Sequence, residues 1–197
     1  MSFPDPHPGL VIRYAYLWKR EHDEGREEGS KDRPCAIVLS VLDDDGEQEV
    51  MVLPITHSPP HRPEDAIEVP PTTKQRLGLD SERSWIVITE ANEFVWPGPD
   101  LRPLPGRDDS TIVHGALPPK FFAHVRDKFL ERIAHDKAQT VKRADRPQPG
   151  ALRNTRGGSL LGPRAPFGHS KQIRHWSLMR MLNWPLRSPF RASVFFR

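Results

Sequence analysis

The stretch Cys35-Ala36-Ile37-Val38-Leu39-Ser40-Val41-Leu42 is apolar at nearly every position and is stopped at once by Asp43-Asp44-Asp45-Gly46. A run this short, bounded by turn residues and rich in β-branched side chains, reads as a strand buried on both faces. The acidic, Gly-ended turn predicts a hairpin that returns along residues 49–56. Such a hairpin commits the chain to a β core covered on both sides.

The flanking segments continue in the same manner. Residues 10–18 are aromatic and β-branched and predict a first strand. Residues 19–32 carry Gly25, Gly29 and the acids Glu21, Asp23, Glu24, Glu27, Glu28 and Asp32, and read as a solvated loop. Residues 66–69 form a short strand cut off by Pro70 and Pro71. Residues 72–77 read as one helical turn with Thr72 as N-cap and Gly78 at its stop. Residues 84–89 are another apolar strand, and 112–115 a last short one. The prolines of residues 96–106 exclude continuous helix or central strand. From Pro118-Pro119 to about Thr140, Phe121, Phe122, Val125, Phe129 and Ile133 recur at helical spacing. The expected fold is mainly β with α: a small, strongly bent barrel of five or six short strands capped by that helix.

Charge divides the chain in two. Residues 1–140 hold 17 basic and 25 acidic side chains, 17 − 25 = −8, whereas residues 141–197 hold 12 basic and one acid, 12 − 1 = +11. The formal +3 of the whole is therefore a cancellation. The expected organisation is a domain over 1–140 and a basic, disordered tail over 141–197, whose Arg-, Pro- and Gly-rich sequence shows no periodicity. One apolar piece inside it, residues 173–184, has the composition to become helical on contact with a partner. Three readings of the tail stand: an arm adding sequence-independent RNA affinity, a segment that folds on an acidic partner, or an accidental extension.

No run approaches the roughly 18 apolar residues of a membrane span. The N-terminus lacks a basic segment followed by an apolar run, so the chain reads as soluble and cytoplasmic. The single cysteine, Cys35, has no internal disulfide partner and sits where a small buried thiol is expected. Nine histidines raise the question of a metal, but Pro59-Pro60 forbids the helix that would align His57 with His61. His124 and His135 lie about 16 Å apart along theirs. Neither a metal nor a cofactor is expected.

Two short motifs carry candidate chemistry. Pro34 restrains Arg33 to an extended conformation at a strand entrance. The returning strand ends in Leu53-Pro54-Ile55-Thr56-His57-Ser58, so an antiparallel hairpin sets Arg33 beside Thr56. A guanidinium next to a hydroxyl suits a phosphodiester, though an Arg at a strand start is also an ordinary surface charge.

The order of these features resembles the MazF/PemK family of toxin endoribonucleases from type II toxin–antitoxin systems. It is carried by Pro8-Gly9-Leu10-Val11, the 25–34 loop ending in Arg33-Pro34, Ala36-Ile37-Val38-Leu39-Ser40, Pro54-Ile55-Thr56-His57-Ser58, Ile67-Glu68-Val69, Gly78-Leu79-Asp80-Ser81, the strand over 86–90 and the terminal helix. It spans residues 8–138 and none of the tail. The resemblance implies an SH3-like barrel that dimerises, pairs with an antitoxin that binds DNA, and cuts single-stranded RNA without a metal through attack of the 2′-OH on phosphorus. It implies that Arg33 stabilises the phosphorane or transfers a proton, that Thr56 orients the phosphate and that Glu90 is the base. Ser58, His57 and Glu28 fall among substrate-binding positions, although Glu27 and Glu28 read on their own as solvated loop charges. The loop reads Gly25-Arg26-Glu27-Glu28-Gly29 where many members carry Glu-Gln, and Ile88 stands near a position where some carry arginine. The competing reading is a non-catalytic module that binds RNA or antitoxin. Trp18 and Trp96 are left as base-stacking or dimer-interface residues.

Overall fold

The structure is a computed structural model describing residues 3–43, 46–106, 111–135 and 137–143. Its strands are β1 (Leu10–Tyr16), β2 (Lys31–Leu42), β3 (Gln48–Thr56), β4 (Ala66–Glu68), β5 (Trp85–Val87), β6 (Glu90–Val95), β7 (Val113–Ala116) and β8 (Gln139–Lys142). Among the described residues three α-helices accompany them, α1 (Lys19–Asp23), α2 (Pro71–Arg76) and α3 (Pro119–Ala134), with a short 3-10 helix over Pro63–Asp65. One sheet runs β4-β5-β3-β2-β1-β7, with β6 joined to β3 and β8 to β6. Every pairing is antiparallel except β6–β8. Among the described residues no pairing joins β4 to β7, so the sheet is open at its ends.

The predicted hairpin is the centre of this fold. Cys35 pairs with Pro54 and Leu42 with Gln48, with a bulge between Ile37 and Leu39. On its other edge β3 takes β6 along Glu49–Val52 and β5 at Ile55 and Thr56. Pro54, which has no N–H to donate, falls at the change of partner. Leu10, Ile12, Tyr14, Tyr16, Cys35, Ile37, Val50, Val52 and Phe94 form a core on one face, where Tyr14 stacks on Phe94 at 4.8 Å. Residues of the other parity, among them Val11, Ala36, Val38 and Leu53, are buried as well. Burial on both faces explains why the strand sequences are nearly continuous in apolar residues. Cys35 is a buried thiol, and burial pushes its ionisation well above the ordinary range.

Several expectations are corrected. The segment expected as loop over 19–32 opens with α1 and closes inside β2. Glu21 ties the start of α1 by accepting from the Trp18 amide at 3.3 Å, and it is buried. The N-cap of α2 is Pro70 rather than Thr72, because Pro71 supplies the preset first-turn φ. Gly78 does take a left-handed φ of 63° just after that helix. The stripe of α3 buries Val125 and Phe129 but leaves Phe121 and Phe122 half-buried, and the helix ends at Ala134, not near Thr140. The chain then pairs with β6 as β8, Asn92 opposite Val141. Neither β6 nor β8 has a pattern of its own strong enough to announce a strand.

Pattern therefore persists past 141. Val141 is buried, and Arg143, 6% exposed, sends Nη2 and Nε to Asp100 Oδ2 at 2.6 and 3.0 Å. Expectations for the remaining tail lie outside the described residues. No helix among the described residues is long and apolar enough to cross a membrane.

A second buried polar device joins β1 to β6. The Asn92 side chain, fully buried, accepts from the Leu17 amide at 3.0 Å and donates to its carbonyl at 2.8 Å. A single carboxamide thus satisfies both backbone groups of one residue where β1 has ended. Asn92→Leu, which strands a buried N–H and C=O together, is expected to cost about 2–5 kcal/mol. Arg143→Met leaves the buried Asp100 carboxylate only the more distant Arg102, 3.8 Å away, and is expected to cost about 3 kcal/mol, with the Asp100→Leu/Arg143→Met double variant recovering most of the loss. Urea unfolding of each variant checks both figures.

Candidate functional site

Two adjoining clefts open where β2 enters the sheet and β3 leaves it. Extending the register in which Cys35 faces Pro54 by two steps sets Arg33 opposite Thr56. Both residues, with Ser58, line both clefts. The first, about 420 Å³, is also lined by Lys31, His57, Asp80 and Ser84; the second, about 470 Å³, by Trp18, Arg20, His61 and Glu90. The fold thus gathers Arg33, Thr56, Ser58, His57 and Glu90 around one connected depression. Glu28 is exposed on the β1–β2 connection and lines neither cleft.

Arg33 is held rather than free. Its guanidinium carbon lies 4.9 Å from the centroid of the Trp18 ring, a cation–π geometry. Trp18 in turn meets Tyr16 edge-on at 5.1 Å. The Arg33 Nε is buried and has no hydrogen-bond partner, and among the described residues no carboxylate lies within ion-pair distance of Arg33. A half-buried cation with an unused donor at the head of a cleft is suited to an anion. Trp96, by contrast, packs against the core beside Phe94 and Phe3.

Glu90 comes from β6, a strand the sequence pattern did not single out. One of its oxygens accepts from the Lys19 amide at 2.8 Å, fixing the carboxylate at the start of α1. Burial pushes its carboxyl above the ordinary range, and the charge of Glu21 adds to this, while the Lys19 amide opposes it. Tyr16 is displaced upward as well, first by burial and then by Glu90, and its buried hydroxyl has no hydrogen-bond partner. Burial also pushes Glu21 upward, but hydrogen bonds from Ser30 and the Trp18 amide, with Arg26 and Arg33 nearby, hold it below its usual value. The two carboxylates are therefore driven in opposite directions, Glu90 upward by burial and Glu21 downward by its hydrogen bonds and nearby cations.

The other wall is braced from behind. Thr56 Oγ1 accepts from the Ser58 amide at 3.2 Å, which leaves its own hydroxyl proton to donate. His57 meets Asp80 through Nε2 at 3.1 Å and Glu82 through Nδ1 at 3.0 Å, so both ring nitrogens are occupied. Asp80 is bound by the buried Lys74 at 2.9 Å, and Lys74 also reaches Ser84 Oγ at 2.7 Å and the Glu82 carbonyl. That lysine bond, with the Glu82 amide and His57 nearby, holds the Asp80 carboxyl below the usual range although burial opposes it. Lys74 and Asp80 carry no motif that reveals this role in the sequence, because their meeting depends on how α2 docks. Among the described residues no group of three or more His, Cys, Asp or Glu is arranged to hold a metal ion.

A guanidinium, two hydroxyls and a carboxylate with raised proton affinity can bind a phosphodiester and move a proton beside it. The raised carboxyl has a measurable signature. The folded state holds the Glu90 proton more tightly than the unfolded chain, so Glu90 costs stability above its folded value. That cost disappears as pH falls through the window down to the unfolded carboxyl value of about 4.3. Glu90→Gln keeps an acceptor for the Lys19 amide and is expected to raise Tm at pH 7 on the order of 2 °C, the gain vanishing below pH 4 in scanning calorimetry. Compared with known proteins, the chain matches no family model and no curated sequence, and the geometry above is what bears on its function.

Proposed function

We propose that the protein is an endoribonuclease that cleaves single-stranded RNA without a metal ion, as the toxin of a toxin–antitoxin pair. The observation that carries this reading is the convergence of Arg33, Thr56, Ser58 and Glu90 on one cleft, with Arg33 held by Trp18 and paired with no carboxylate among the described residues. In this reading Arg33 and the Thr56 hydroxyl bind the non-bridging oxygens of the scissile phosphate. Glu90 takes the proton of the ribose 2′-OH as its oxygen attacks phosphorus. The bond from 2′-oxygen to phosphorus forms, the bond to the 5′-oxygen breaks, and the 5′-oxygen departs with a proton from water. The products are a 2′,3′-cyclic phosphate and a 5′-OH, and Glu90 returns its proton to solvent. Arg33 counters the charge that grows on the pentacoordinate phosphorus.

The same reading takes the sheet as an SH3-like barrel. The bulges in the β1–β7 and β2–β3 pairings, and the division of one β3 edge between β6 and β5, support strong curvature. A second copy of the chain and an antitoxin are its proposed partners. Purified protein incubated with a long single-stranded RNA in EDTA is expected to give fragments ending in 2′,3′-cyclic phosphate. Arg33→Ala is expected to slow cleavage about 10²–10³-fold, and Glu90→Gln about 10²–10⁴-fold. Cleavage that survives both Arg33→Ala and Thr56→Ala would overturn the site. RNA bound but never cut by the wild type would point instead to a non-catalytic binding module.

A further inference from the structure

A further groove lies elsewhere, between α3 and the residues leading into β4, and encloses about 720 Å³. One stripe of α3 and its C-terminal cap faces it: His124, Lys128 and Glu131, followed by the cap residue His135. This is a different helical face from that of the buried Val125 and Phe129. Arg62 and Lys137 complete its basic lining.

Ion pairs inside the groove decide its charge. Asp65 is neutralised by Arg132 at 3.0 Å, and Glu131 by Lys128 at 2.9 Å. Glu64 contributes its carbonyl to Arg132 and is the one remaining acid of the lining. Arg62 and Lys137 are both exposed and have no carboxylate within ion-pair distance among the described residues. The lining carries four cations and three acids, 4 − 3 = +1, in a chain whose first 140 residues sum to −8. The groove is also continuous with the Arg33 cleft, because Asp65, Ala66 and Thr89 line both.

We propose that this groove carries the sugar–phosphate backbone of the RNA strand flanking the scissile phosphate, as a second subsite several nucleotides away. The proposal rests on the endoribonuclease reading, since it assumes an RNA strand in the Arg33 cleft. The histidine-to-histidine span along α3 is about 16 Å at about 1.5 Å per residue. That accommodates several phosphates of a stacked strand at about 3.4 Å each. Electrostatic tracking of a backbone needs cations at intervals rather than base-specific contacts, which is what Arg62 and Lys137 offer.

The test compares a labelled trinucleotide with a 12-mer, both 2′-O-methylated so that neither can be cut, bound to the full-length chain. Wild type is expected to bind the 12-mer more tightly than the trinucleotide. Arg62→Glu/Lys137→Glu is expected to weaken the 12-mer about 10-fold more than the trinucleotide, and to flatten the salt dependence by about 0.7 in log–log slope per lost contact. Arg33→Ala should weaken both lengths alike. A 4-thiouridine placed away from the central linkage of the 12-mer is expected to crosslink to residues 62 or 124–137. Equal losses for both lengths in the double variant, or crosslinks that avoid those residues, overturn the second subsite alone. A wild type that binds neither oligonucleotide overturns the endoribonuclease reading and this inference with it.

Discussion

The carboxamide of Asn92 is the contact on which the arrangement of the site depends. A strand that ends inside a protein leaves peptide groups that must find partners, and Asn92 satisfies both groups of Leu17 from the neighbouring β6. With Leu17 held there, the next two residues leave the sheet at a defined point. The Trp18 amide meets Glu21, and the Lys19 amide meets Glu90. Trp18 then lies under Arg33, and Glu90 faces the same cleft. One buried amide side chain therefore sets the positions of a cation and a carboxylate that arrive from different strands.

The cleft stores electrostatic tension of a useful kind. Burying a carboxyl beside another acid costs stability, as at Glu90, and leaving a guanidinium nitrogen buried without an acceptor does so as well. A domain selected for stability alone would remove both. Their coexistence at one depression, next to hydroxyls with protons to donate, is the expected sign of a site arranged for a ligand that brings its own charge. The Lys74–Asp80–His57 chain shows the opposite economy, since each of its polar groups is met by a partner, and it braces the wall that carries Thr56 and Ser58.

Different parts of the molecule were legible to different degrees. The β2–β3 hairpin could be read because a strand buried on both faces is apolar throughout and its turn is acidic and Gly-ended. Antiparallel return brings the start of β2 beside the end of β3, which is why Arg33 and Thr56 could be brought together from sequence, whereas the bulge between Ile37 and Leu39 sets the one-residue step that puts them directly opposite. The stripe of α3 was legible for the same reason of period, but its end was not: residues 139–142 become a strand only because β6 offers them an edge. β6 itself was hidden, since its Asn92 and Glu93 are polar yet buried, against the alternation expected of a strand with one wet face. The loop expected over 19–32 conceals α1, whose start is secured by a buried acid that composition alone assigns to solvent.

By itself the sequence determined that residues up to about 140 build a β core with one amphipathic helix, that acid and base are segregated along the chain, and that an arginine and a threonine meet across a hairpin. These follow from periodicity and turn chemistry, which are local. Tertiary structure decided the rest: that Glu90 joins them, that Trp18 holds Arg33 while Trp96 goes to the core, and that Arg143 belongs to the folded unit through Asp100. Each of those depends on a contact between residues dozens of positions apart. Its energy comes from burial and from partners that no local pattern encodes.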